Sequence, residues 1–165
     1  MDTLKTESVT LDDFEAVLRL RIAAMRESLV KLGRFDPRRA RMRLADRFEP
    51  EHSAWLCDGE VAVGFWMVTE SDGHIILDHL YIHPRFQGRG YGSAAMALLL
   101  ERADREGKEV RLTALKKSRS NDFYQRHGFV IYDEEVYDNH YSRSARWISG
   151  GISGGLGGGG GNNCS

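Results

Sequence analysis

The chain has 165 residues with a formal net charge of −1 and 41% hydrophobic residues, which suits one domain with a single core. So even a charge balance excludes a dedicated nucleic-acid binder, which needs an excess of Lys and Arg on one face. No apolar run reaches the length of a membrane span, and the start of the chain, with Asp2 and Glu7, has no signal-peptide pattern. The two cysteines, Cys57 in an apolar run and Cys164 near the end, make neither a disulfide framework nor a metal site, and a reducing cytoplasm is the expected compartment.

Residues 4–9 alternate loosely and predict an edge strand. Thr10, with Asp13 three positions on, is a capping pattern, and Phe14, Val17, Leu18, Ile22, Met25 and Leu29 then recur at the spacing of one helix face over about five turns. Asp36-Pro37 supplies a cap and a first helical position for a second helix, with Ala40, Leu44 and Phe48 on one side. Three short runs follow, at 54–57, 61–69 and 74–82, separated by Asp58-Gly59 and Asp72-Gly73. Both dipeptides favour tight hairpins, so three antiparallel strands are expected.

The third strand stops at His83-Pro84 and runs into three alternating glycines, Gly88, Gly90 and Gly92, before an alanine- and leucine-rich helix over 93–106. A strand feeding a helix through glycines leaves the first-turn N–H groups exposed at the positive end of the helix dipole, which is an anion pocket, most often for phosphate. Arg85 and Arg89 flank it. A nucleotide P-loop is excluded because no Gly-Lys-Ser/Thr follows, and a dinucleotide fold because no acidic residue closes a second parallel strand. Gly107 ends the helix, residues 110–115 read as a strand parallel to the third, and the connection is a right-handed crossover. A short helix over 118–127, a strand over 129–132 and a last strand over 137–147 complete a domain over residues 1–148. Residues 149–165 are so rich in glycine that they are expected to form a disordered tail.

Gln87, Gly90 and Gly92 resemble the Gln/Arg-x-x-Gly-x-Gly/Ala signature of the GNAT superfamily of N-acetyltransferases. The block from Leu80 to Pro84 and the later block from Asn121 to Phe129 are similar to two further blocks of that family, in the same order. The resemblance spans about residues 3–147 and implies an α/β fold of the GNAT acyl-CoA N-acyltransferase type. In that fold a mixed, mostly antiparallel sheet contains a parallel central β-α-β crossover and is flanked by helices. The resemblance also implies acetyl-CoA as cofactor, with its pyrophosphate on the backbone of Gln87, Gly88, Arg89, Gly90, Tyr91, Gly92 and Ser93. Its pantetheine arm would pair with Leu80, Tyr81 and Ile82, where the strand splays from its parallel neighbour. The N–H of Tyr81 or Ile82 would act as oxyanion donor, and Tyr124 would donate a proton to the leaving thiolate. Family members often place a pantetheine-contacting asparagine six or seven residues before that tyrosine. Here those places hold Ser118 and Lys117, so Ser118 or Asn121 takes the contact, each being equally readable as a helix cap.

An acceptor ammonium must lose a proton before attack, and Asp78 and His79, on opposite faces by strand alternation, are both candidate bases. The acceptor, a small-molecule or peptide amine, is expected between two walls. One is the basic second helix with Arg34, Arg38, Arg39, Arg41, Arg43 and Arg47, and the other is the acidic group Asp133, Glu134, Glu135 and Asp138; solvated surface is the plainer reading of both. Trp55, Trp66 and Tyr137 read as an apolar wall or as core. No nucleic acid, membrane or metal is implied, a homodimer is in keeping with the family, and the alternative to an enzyme is an acyl-CoA-binding module of the same fold.

Overall fold

The Thr10 N–H donates to the Asp13 carboxylate at 2.9 Å, and a 3-10 turn, Leu11–Asp13, leads into α1, Phe14–Lys31. At the start of α2, Pro37–Arg47, the Asp36 carboxylate accepts from the N–H groups of Arg38 and Arg39. Pro37 takes the first helical position, where its missing N–H leaves nothing unpaired. This computed structural model describes residues 3–146; Trp147, predicted to close the last strand, and the glycine-rich residues 149–165 lie outside them.

The strands are β1 (Lys5–Ser8), β2 (Ser53–Asp58), β3 (Val61–Ser71), β4 (His74–Ile82), β5 (Val110–Leu115), β6 (Val130–Glu134) and β7 (Asp138–Arg143). Between β3 and β4, Asp72 and Gly73 both take positive φ, 52° and 79°, the backbone of a tight hairpin matched to strand twist. The helix α3, Tyr91–Glu106, joins β4 to β5, and α4, Ser120–Arg126, precedes β6. Gly90, at φ 87°, is the N-cap of α3, so that helix starts at Tyr91 rather than at Ser93.

The seven strands form one sheet in the order β1-β2-β3-β4-β5-β7-β6. Every neighbouring pair is antiparallel except β4 and β5, which are parallel around α3. The mixed, mostly antiparallel α/β sheet with a central parallel crossover is therefore the one the sequence predicts. One face packs Ile75, Leu77, Val110 and Leu112 against Met96, Leu99 and Ala103 of α3. The other packs Phe65, Met67 and Tyr81 against Val17 and Leu18 of α1 and Leu44 of α2. Each of the larger side chains contributes about 1.5–3 kcal/mol on leaving water, so the helices are clamped to opposite faces of the sheet. Among the described residues no helix is long and apolar enough to cross a membrane.

Two irregularities of β4 shape the site. Met67 pairs with His79 while Val68 pairs with Leu77, so Asp78 is the extra residue of a β-bulge. The bulge shifts the alternation: Leu77 faces α3, whereas Tyr81, four residues on, faces α1 and α2. Pairing with β5 covers only Ile75 to Leu77, opposite Val110 to Leu112. Beyond Leu77 the two parallel strands diverge, as the family resemblance implied.

Candidate active site

The diverging ends of β4 and β5 open into a cavity of about 970 Å³ whose lining includes Asp78, Leu80, Ile82, Gly88, Ser118 and Tyr124. At one end lies the glycine turn. Gly88 and Gly90 take φ of 76° and 87°, a region where a side chain is strained. No acidic residue stands in the first turn of α3, and Ala94 is the first residue whose N–H bonds back, to the Gly90 carbonyl at 3.0 Å. The N–H groups of Tyr91, Gly92 and Ser93 thus have no acceptor within the helix. A Cβ on Gly92 would stand 3.4 Å from the Phe123 ring, so α3 and α4 meet closely there. The side chains of this stretch serve mainly to hold it. Gln87 Nε2 donates to the Ile82 carbonyl at 2.9 Å, Tyr91 Oη to Asp58 at 2.6 Å, and the Arg89 guanidinium lies over the Phe86 ring at 5.7 Å. Ser93 Oγ is 3.3 Å from His127 Nε2.

The strand edge facing the cavity follows from the ladder. The His83 N–H donates to the Val63 carbonyl of β3 at 2.9 Å. By antiparallel alternation Tyr81 also bonds toward β3, which leaves the N–H groups of Leu80 and Ile82 on the side of β5. Of the two backbone donors left open by the sequence, only that of Ile82 is on the cavity side. Gly64, opposite Ile82 in β3, has no room for a side chain: a Cβ there would run into the Tyr81 carbonyl and the Ile82 side chain. The sequence reading passed over this glycine.

Tyr124 is buried at 7% exposure between Phe129 and Tyr141, and burial pushes its hydroxyl well above the ordinary phenol range. It lines the cavity, so it is both part of the core and part of the site. Asn121, by contrast, is turned away. Its Nδ2 donates to the carbonyls of Leu115, at 2.8 Å, and Ser118, at 3.0 Å, and its Oδ1 accepts from Asn139 and from the Tyr141 hydroxyl. That amide ties α4 to β5 and β7, so its polar atoms are engaged within the fold. Ser118 remains on the cavity wall, its Oγ paired with that of Ser120.

The bulge corrects the expectation for the two candidate bases, because Asp78 and His79 line the same cavity instead of being divided between the sheet faces. Asp78 accepts from the Thr69 hydroxyl at 2.7 Å. His79 is buried at 8% exposure, with Nδ1 2.5 Å from the Tyr81 hydroxyl and Nε2 unpartnered. Burial, and then the charges of Arg21 and Arg47, lower its pKa to about 3. An imidazole so hard to protonate is a poor general base near neutral pH.

The model of the Acetyltransferase (GNAT) family matches residues 17–129. The chain belongs to this family. Membership of the GNAT family carries acyltransferase activity. A PaiA N-acetyltransferase from Thermoplasma acidophilum, solved in complex with coenzyme A, is 13% identical with a TM-score of 0.69, over 86% of this chain and 98% of that one. An acetyltransferase from Thermus thermophilus is 19% identical with a TM-score of 0.67, over 86% and 97%. Ard1 from Thermoplasma volcanium is 21% identical with a TM-score of 0.61, over 87% and 99%. These structures share the GNAT fold; no curated protein matches the chain.

On the side away from the glycine turn, this GNAT cavity is walled as the charge pattern suggested, but selectively. Arg34, Arg39, Arg43 and Arg47 line it, as do Glu135 and Asp138, while Arg41 is spent on Glu15 at 2.6 and 2.9 Å. The Arg34 guanidinium lies over the Tyr137 ring at 4.0 Å, joining the two walls. Trp55 and Trp66 pack into the cores on either face of the sheet. A buried charge on the cavity lining that the sequence pattern did not single out is Arg21. It follows Val17 by four and Leu18 by three, which puts a charge on the buried face of α1, and that placement was the available signal.

Proposed function

We propose that the protein is an N-acetyltransferase moving an acetyl group from acetyl-CoA to a primary amine by direct attack in a ternary complex. The observation that carries this reading is the single cavity that runs from the free N–H groups of α3, along the unpaired edge of β4, to Tyr124. The residues present fit the cofactor: a glycine turn free of acid for a pyrophosphate, and a strand edge lacking its neighbour for an amide-bearing arm. Acetyl-CoA supplies the thioester whose acetyl carbon the amine nitrogen attacks, the C–S bond breaking to leave an amide and the CoA thiol.

The backbone of Gly88 to Ser93 binds the pyrophosphate, with Ser118 beside the arm. The Ile82 N–H donates to the carbonyl oxygen as it gains charge. Burial keeps Tyr124 in its phenol form, so its proton is in place at every working pH. The same burial disfavours a free phenolate, so Tyr124 hydrogen-bonds the sulfur as the C–S bond breaks and gives up its proton only as it takes the second proton that the attacking nitrogen sheds. Asp78, on the cavity wall, takes the proton lost by the acceptor, directly or through water. Much of the acceleration comes from alignment of the two reactants.

Thiol release measured over a panel of primary amines tests the reading. Release with at least one amine, abolished by omitting the amine, is the expected result. Calorimetric binding of acetyl-CoA without release for any amine would make the protein a binding module of the same fold.

A further inference from the structure

On the cavity wall, between α1 and β4, lies a group of side chains that acetyl transfer itself does not use. Arg21 is 7% exposed, and among the described residues no carboxylate lies within ion-pair distance of it. Among the described residues its one hydrogen bond is from Nη1 to the Tyr81 hydroxyl at 2.6 Å, and its buried Nε has no partner there. A guanidinium removed from water with only a neutral partner is costly to bury unless something of opposite charge comes to it.

The hydrogen-bond chain fixes what is missing. Arg21 can only donate, so the Tyr81 oxygen accepts from it, and the single Tyr81 proton points to His79 Nδ1, 2.5 Å away. The His79 ring proton is then on Nε2, which is buried and unpartnered too. Two residues, each more than nine-tenths buried, therefore hold an unused N–H donor apiece, and both residues line the cavity. Arg47 also lines it, close enough for its charge to act on His79. The acid on this stretch of β4 is Asp78, whose charge reaches Tyr81 and which is bonded to Thr69. What this corner lacks is an acceptor of hydrogen bonds carrying negative charge.

Resting on the acetyltransferase reading above, we infer that the acceptor is an amino acid whose carboxylate is held by Arg21 and His79 while its amine lies toward Asp78 and the cavity. A polyamine or an unsubstituted alkylamine leaves the buried guanidinium unmatched, and the carboxylate of a long peptide is too far from its N-terminal amine to reach it. Arg21 and His79 are binding residues in this scheme, and no bond to them is made or broken.

The test compares each of the common amino acids with its carboxamide and its decarboxylated amine as acceptors, using the full chain with acetyl-CoA. Amides have the less basic amine and so the larger neutral fraction, a bias that works against the inference. At least one amino acid is expected to exceed its amide in kcat/KM by roughly 10–100-fold, the worth of a charge-assisted hydrogen bond. Arg21→Met should remove that preference by slowing the amino acid alone, with acetyl-CoA affinity unchanged. Equal or faster turnover of amides or decarboxylated amines by the unaltered protein overturns the inference while leaving the acetyltransferase reading intact. Should no amine be acetylated, that reading fails, and titration of N-acetyl amino acids into the CoA-bound protein decides this one. Binding that needs the free carboxylate supports it, and no binding overturns it. If Arg21→Met does not fold, the comparison of amino acid with amide in the unaltered protein decides alone.

Discussion

The two ends of the cavity are built from different materials. At the end near α3 the working groups are backbone: N–H groups of a helix start, positive-φ glycines and an unpaired strand edge. At the end near α1 they are buried side chains, Arg21, Tyr81 and His79, set in a chain of hydrogen bonds. A backbone site accepts many side chains as long as its glycines remain, whereas a side-chain site is defined by identity and charge. One fold can therefore keep a common donor at the first end and vary its acceptor at the second.

Substitutions can break this contrast at several points. The largest effect is expected at the junction of the two ends: Tyr124→Phe should lower kcat by roughly 10²–10⁴-fold while leaving acetyl-CoA affinity in place, and an unchanged kcat removes Tyr124 from the reaction. Gly90→Asp forces an L-residue to φ 87° and sets a carboxylate against the expected pyrophosphate. Calorimetry should show acetyl-CoA affinity down by about 10²-fold or more, and retained affinity counts against the backbone site. Gly64→Ala pushes against the Tyr81 carbonyl and Ile82, so denaturant melts should record a loss of about 1–3 kcal/mol.

His79 gives a pH signature. Its folded pKa, about 3, lies below its ordinary value of 6.5. Protons therefore bind the unfolded chain first, and the stability from a neutral buried His79 is complete above pH 6.5 and falls as pH drops toward 3. At pH 5 the loss relative to pH 8 is about 2 kcal/mol from this residue. His79→Gln should remove that share of the acid sensitivity, and an unaltered pH profile would show the imidazole to be more accessible than its burial implies. The smallest effect belongs to the cavity rim, where Arg119 reaches Glu27 at 3.4 Å with 84% of its side chain exposed. Arg119→Ala should change stability by no more than about 0.5 kcal/mol, as a thermal melt can check.

The same contrast sets what could be read in advance. Gly88, Gly90 and Gly92, Asp36-Pro37 and Asp72-Gly73 act through local backbone preference, so their effects are written in a few consecutive residues, and the glycine end was legible. The order of elements around it was legible for the same reason. The bulge at Asp78 was not, because an extra residue in one strand shows only against its partner, Met67 and Val68 in β3. That hidden register change undid the alternation argument for Asp78 and His79. The bonding of Asn121 was hidden for a related reason: its four partners are Leu115, Ser118 and two residues of β7, and the β7 pair cannot be inferred from neighbours in the chain. Arg21 was visible as a charge on an apolar helix face, but its lack of a counter-ion is a property of three dimensions.

The divergence of β4 from β5 also has a bearing on solubility. Past Leu77 and Leu112 each strand presents the hydrogen-bonding groups of a sheet edge, located in the middle of the sheet. Natural sheets guard such edges because any extended chain with alternating C=O and N–H groups can add to them. Here the glycine turn, α1 and α4 stand around the opening, so what can pair with it must be narrow. The gap between β4 and β5 is thus also a filter on what can complete the sheet.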